Sequence, residues 1–185
     1  MGTIKTTNIE PIANNGTVTL GSSGDTFTVP SGVTIANSGT ATGFGGTMTP
    51  AFAVKKSSNQ TIASTTGTKM QLDSEIFDTD NKYDNSTNYR FTPGVAGKYV
   101  LFLASTFQNF QSDEIMSVTI NKNGSGLSSF SNISGNYSDD FTAATSVIDE
   151  ANTTDYYEAF IFHRASSSQT MVGSVSIFSG YRIIE

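Results

Sequence analysis

Three carboxylates fall within the run Asp78-Thr79-Asp80-Asn81-Lys82-Tyr83-Asp84, the best set of oxygen donors for a hard cation in this chain. An EF-hand loop starting at Asp78 requires Gly at its sixth position and Glu at its twelfth. Tyr83 and Tyr89 stand there, so that motif is excluded. A looser calcium site on Asp78, Asp80 and Asp84 is the one metal expectation, and no other cofactor is expected. Asp139-Asp140 and Asp149-Glu150 read as solvated loop charges. The single histidine, His163, lies in Phe160-Ile161-Phe162-His163-Arg164. With no second histidine and no cysteine, one chain cannot build a multi-histidine or thiolate site. No Gly-x-Ser-x-Gly elbow accompanies His163, so it reads as a strand-end histidine rather than a general base. No pair of carboxylates is singled out for glycoside hydrolysis. No catalytic residue is expected, and the chain is not read as an enzyme.

Aromatic rings offer a second chemistry, stacking on sugars. Tyr99, Phe102, Phe107, Tyr156, Tyr157, Phe160, Phe162, Phe178 and Tyr181 sit in strand interiors, where alternate residues fill a sandwich core or a subunit interface. The large rings expected on loops are Phe110, Tyr137 and Phe141, which makes them the receptor-binding candidates.

Composition narrows the classes that these residues serve. The net charge is −6 over 185 residues, and no basic cluster offsets it, so a phosphate backbone would be repelled. No nucleic-acid partner is expected. No stretch approaches the roughly 20 apolar residues of a membrane span, and the first residues lack the basic start and apolar core of a secretory signal. Charged residues make up 14% of the chain, while 13 Phe and 7 Tyr supply core-forming bulk. That combination suits surface-exposed β structure.

Strand periodicity runs almost throughout. Thr17–Leu20, Thr26–Val29 and Gly32–Ile35 each alternate Thr or small residues with apolar ones, punctuated by Asn15-Gly16, the stretch 21–25 and Pro30-Ser31-Gly32. Strands so short and so poor in apolar residues cannot build a core alone. Val18, Leu20, Phe27, Val29, Val33 and Ile35 are therefore expected to meet along the axis of a shaft shared by three chains. A Gly-rich neck follows, and from Met48 the composition turns aromatic. Expected strands are Ala51–Lys55, Thr68–Phe77, Tyr89–Thr92, Gly97–Gln108, Glu114–Lys122, Gly126–Ile133, Phe141–Ile148, Asp155–His163 and Met171–Ile184. Asn123-Gly124 signals a two-residue hairpin, and 149–155 reads as a loop. The pattern predicts an all-β, antiparallel sandwich.

Several segments carry a family resemblance. Pro50-Ala51-Phe52-Ala53-Val54 resembles the opening strand of the globular head of complement component one-q. Phe77-Asp78 to Tyr83-Asp84 and Tyr89-Arg90-Phe91-Thr92-Pro93 resemble its aromatic-Asp segment and Phe-x-x-Pro turn. Gly97-Lys98-Tyr99-Val100-Leu101-Phe102, Lys122-Asn123-Gly124 and Ile177-Phe178-Ser179-Gly180-Tyr181 resemble its Gly-x-Tyr-x-Phe strand, its central hairpin and its closing strand. The strand Asp155-Tyr156-Tyr157-Glu158 is more acidic than the family's pattern, and no collagen repeat precedes the domain. The resemblance implies a jelly roll related to tumour necrosis factor, and a homotrimer. Thr3–Pro11 and Gly24–Val33 in turn resemble segments of marine bacteriophage fibre and tail proteins.

These resemblances imply a virion protein made in the bacterial cytoplasm and released by lysis. Residues 1–14 would anchor it to other virion proteins, 15–47 would form the β-rich shaft and neck, and 48–185 the jelly-roll head. The implied work is attachment as a tail fibre, with a host-surface glycan as partner. A capsid decoration protein or head fibre is the alternative, and a cellular binding module of the tumour-necrosis-factor type is the alternative of another class.

Overall fold

The computed structural model describes residues 9, 16–36, 38, 48–134 and 139–183. The expected anchor (save Ile9), most of the neck, and Tyr137 lie outside the described residues. The chain divides into two units, Met1–Phe44 and Gly45–Glu185.

In the first unit, residues 16–36 run extended between two turns, with no strand ladder among the described residues. Asp25 shapes the first turn. Its amide donates to the Ser22 carbonyl at 3.0 Å, and its carboxylate accepts the Ser22 amide at 2.7 Å. Gly21 and Gly24 flank it at φ +87° and +93°, values that favour glycine. At the second turn, Val33 donates to the Pro30 carbonyl at 3.2 Å.

Among its described residues, the regular elements of the second unit are all strands save one short 3-10 turn. Its strands are β1 (Ala51–Lys55), β2 (Gln60–Ile62), β3 (Thr68–Lys69), β4 (Ser74–Asp78), β5 (Tyr83–Asp84), β6 (Arg90–Phe91), β7 (Gly97–Phe110), β8 (Ile115–Lys122), β9 (Ser125–Ile133), β10 (Asp139–Ala151), β11 (Tyr157–His163), β12 (Gln169–Met171) and β13 (Ile177–Arg182), with a 3-10 turn at Gly173–Val175. One sheet runs β2–β12–β7–β13–β1–β4, with β10 along the other flank of β7. The second runs β5–β6–β11–β8–β9, with β3 also on β11. Every strand pair is antiparallel, so the architecture is the expected antiparallel jelly-roll sandwich.

Alternation along β7 shows why. Tyr99, Leu101, Leu103, Ser105 and Phe107 are fully buried, while Phe102 between them is exposed. Period-two patterning thus assigns one face of β7 to the core. Phe52 of β1 stacks on Phe91 of β6 at 4.2 Å and on Tyr83 of β5 at 5.5 Å, and meets Phe178 of β13 edge-on at 5.0 Å. One ring cluster therefore ties the two sheets together, each ring contributing about 1.5–3 kcal/mol by burial. The Asn123-Gly124 hairpin forms as expected, with φ +52° and +80° at its two turn residues.

Three expectations are corrected. Thr68–Phe77 is two short strands, β3 and β4, separated by a buried Met70 and Leu72. The stretch 149–155 is not all loop, because β10 pairs with β7 as far as Ala151 opposite Gly97. Phe110 is not a loop ring: it ends β7 and is fully buried. The reason is Asn109, whose φ of +47° resets the strand's phase, so that Phe107 and Phe110 both turn inward and stack at 5.1 Å.

Candidate functional site

The register of the first sheet assembles two uncharged rows on its outer face, bordered by Lys98 opposite Glu150 and by Lys55 opposite Ile177. Tyr181 lies opposite both Ala51 and Val100, and Val100 opposite Ile148, which makes one row across four strands. The next row is Ser146, Phe102, Ser179, Ala53 and Phe77. Neither row contains a charge. Ile148 is 65% exposed, Phe77 49%, Tyr181 42% and Phe102 40%. Large apolar side chains exposed side by side are a common feature of association surfaces. Phe102 and Tyr181 are among the strand-interior rings expected in a core or a subunit interface, and they are not in the core. Period two puts them on the opposite face from Tyr99 and Leu101.

The carboxylates expected to hold calcium have other partners. Asp84 accepts the Ser86 amide and hydroxyl (3.1 and 3.3 Å), the Thr87 amide (2.9 Å), and the Asn88 amide and side-chain nitrogen (3.1 and 2.7 Å). The Thr87 amide, and then those of Ser86 and Asn88, hold its carboxyl well below the usual range. Asp78 accepts the Tyr83 amide at 2.7 Å through one oxygen, while its other oxygen is buried without a partner. Asp80 is exposed. Among the described residues no three acidic or imidazole side chains are gathered to hold a metal, so Asp78, Asp80 and Asp84 do not form one donor set.

His163 is fully buried. Its Nε2 is 3.0 Å from the Ile62 carbonyl, and Phe107 and Phe110 meet its ring edge-on at 5.1 and 6.1 Å. A carbonyl only accepts, so Nε2 carries the proton and Nδ1 is the atom left without a partner. The imidazole is sealed from any substrate.

Of the ring candidates for a glycan platform, Phe110 is core and Phe141, half-buried in β10, stacks on it at 5.7 Å. Of the shaft candidates, Val18, Leu20, Phe27, Val33 and Ile35 are exposed, Phe27 at 68%, and Val29 is half-buried. Asp139 and Asp140 begin β10 instead of lying in a loop, and Asp140 accepts the Asn109 amide at 3.0 Å. Asp149 belongs to a network rather than to solvent: Lys122 Nζ reaches it at 2.7 Å and Asp155 at 3.2 Å, and the Tyr157 hydroxyl donates to it at 2.5 Å. Burial pushes the Lys122 ammonium down, but Asp149 and Asp155 outweigh it and raise the group above its ordinary value. The Asn123 side chain leads the contacts that hold Asp155 low.

Solved structures share this arrangement. The globular domain of zebrafish complement 1qA protein superimposes with a TM-score of 0.52 at 16% identity, over 72% of this chain and 97% of that one. Murine APRIL matches with a TM-score of 0.56 at 9% identity, over 72% and 98%. Eiger TNF from S. frugiperda matches with a TM-score of 0.53 at 8% identity, over 72% and 91%. The fold is a jelly roll of the complement one-q and tumour-necrosis-factor type. At these identities the likeness is one of fold alone. No protein-family sequence pattern matches the chain, and no curated protein sequence matches it. Among the described residues no helix is long and apolar enough to cross a membrane.

Proposed function

We propose that the protein is a homotrimeric structural component of a bacteriophage virion, a tail fibre or spike whose jelly-roll head is presented for attachment to a host surface. The observation that carries this reading is the pair of uncharged rows on the outer face of the first sheet, with Phe77, Phe102, Ile148 and Tyr181 exposed together. Its occupants are two further copies of the same chain. A closed ring of three buries each such face against a neighbour and leaves none open for further growth. The segment 16–36 supports the same assembly. All of its apolar residues but the half-buried Val29 stand exposed along an extended backbone, and strand pairing with two neighbours would bury them and satisfy their amides. Sequence resemblance to fibre proteins and structural likeness to complement-type heads give the two parts of the reading.

Native mass of the full chain in solution tests it. The expected value is about three times the 19.6 kDa of one chain. Phe102→Glu, which places a charge in the middle of the face, is expected to yield monomers. A monomeric wild-type chain would remove the physical basis of the fibre.

A further inference from the structure

The β5–β6 hairpin presents a second surface. Tyr83 pairs with Phe91, and Asp84 with Arg90, while the Thr92 amide donates to the Lys82 carbonyl at 2.8 Å. Directly opposed residues share a face. Tyr83 and Phe91 therefore turn into the core, and Lys82, Asp84, Arg90 and Thr92 all turn outward. These four, with Asn81 and Asn88, line an open polar cavity of about 330 Å³, the lower end of the range that holds small ligands.

The charges in this cavity are unevenly committed. Asp84 is saturated by the five donors of its own loop. Glu158, the other cross-strand neighbour of Arg90, is engaged by Lys69 at 2.5 Å. Among the described residues neither Lys82 nor Arg90 has a carboxylate within ion-pair distance. Arg90 is nevertheless fixed, its guanidinium lying 4.5 Å from the centre of the Tyr156 ring. Left-handed backbone at Asn81 (φ +52°) and Tyr89 (φ +49°) sits immediately before each cation-bearing residue. For a bulky side chain such as Tyr89 that conformation is costly. A protein of net charge −6 thus holds two unpaired cations, one of them a planar fork, beside two amides and a hydroxyl.

We propose that this cavity binds a carboxylate-bearing sugar, a uronic or sialic acid. The sugar's carboxylate pairs with the fork of Arg90 and with the Lys82 ammonium, and its hydroxyls meet Asn81, Asn88 and Thr92. The inference rests on the attachment reading for its purpose, since it names the ligand class of that head, but the pocket chemistry is testable without it.

Calorimetric titration of the purified full chain with glucuronate, N-acetylneuraminate, glucose and inorganic phosphate is the test. At least one acidic sugar is expected to bind saturably, at least about tenfold more tightly than glucose, which lacks the charge-assisted pair, and more tightly than phosphate, which shares that pair but not the hydroxyl contacts to Asn81, Asn88 and Thr92. Its affinity is expected to fall about tenfold in Arg90→Gln and in Lys82→Gln, with both variants keeping the wild-type thermal midpoint. Lys82→Gln keeps the test informative should Arg90→Gln, which also gives up the Tyr156 contact, fail to fold. No saturable acidic-sugar binding, glucose or phosphate binding equally well, or undiminished binding in folded variants each overturns the assignment. Adsorption of wild type and variants to host cells separates the two readings. Titration that succeeds while adsorption fails removes attachment and keeps the pocket; adsorption that survives without titratable binding removes the pocket and keeps attachment.

Discussion

Gly180 shows how little room the closing motif leaves. It faces inward opposite Leu101 on β7, and a Cβ there would stand 2.6 Å from Leu101 Cδ2, 2.8 Å from the Val100 carbonyl oxygen and 3.1 Å from Phe52 Cε1. One of those neighbours is backbone, which cannot rotate away. Gly180→Ala is expected to lower unfolding stability by about 1–3 kcal/mol, as overpacked cores do. The measurement is a shift of the urea midpoint at constant slope; an unmoved midpoint would mean that β13 and β7 separate freely. Residue type alone announced this glycine through its place in the Phe-Ser-Gly-Tyr run. It singled out neither Lys82 nor Arg90. Their shared face depends on a register set by the pairing of Tyr83 with Phe91, and no local pattern of either strand contains it.

The elements are joined by a few polar clamps whose protonation governs them. Asp73 accepts Lys56 Nζ at 2.5 Å and the Ser57 amide at 2.7 Å, fixing the turn after β1 to the approach to β4. Burial raises its carboxyl, but the Lys56 contact and the Ser57 bonds outweigh it and carry the group from 3.8 down to about 2. Asp84 and Asp155 are lowered as well. A carboxyl depressed in the folded state stabilises above its unfolded value and loses that contribution as pH falls through the folded one. The urea midpoint is therefore expected to hold from neutrality to about pH 4 and to drop between about pH 4 and 2. Asp73→Asn should flatten part of that drop, and an equally steep loss in the variant would assign it elsewhere. At this scale the sequence is readable where apolar strands are bounded by turn residues. Ala51–Lys55 and the hairpin between β8 and β9 came through with their bounds nearly intact. It was unreadable at β2 and β5, which are short and polar and exist because a partner strand supplies their hydrogen bonds. Phe110 was misplaced for a related reason: one left-handed residue, Asn109, inverts a phase that counting by twos cannot follow.

For the whole molecule, self-association couples stability to concentration. If the outer face of the first sheet is buried between copies, as proposed, the thermal midpoint rises with protein concentration by mass action. It is expected to climb over a hundredfold concentration series for the wild type and to stay level for Phe102→Glu; a level wild-type midpoint would count against assembly through that face. The order β7–β13–β1 carries a different consequence. The last of the described strands is wedged between the first and the seventh, with Phe178 between Leu103 on one side and Val54 on the other. A ribosome that has made everything before Ile177 has made a sheet with a slot through its middle, and β1 has nothing to lie against on that side. Contacts of such long sequence separation form slowly. Completion of the head thus waits until β13 has been made and can enter between β1 and β7. A nascent chain cannot offer its neighbours a finished surface early, and a prematurely terminated one carries an open, unpaired gap that proteases can find.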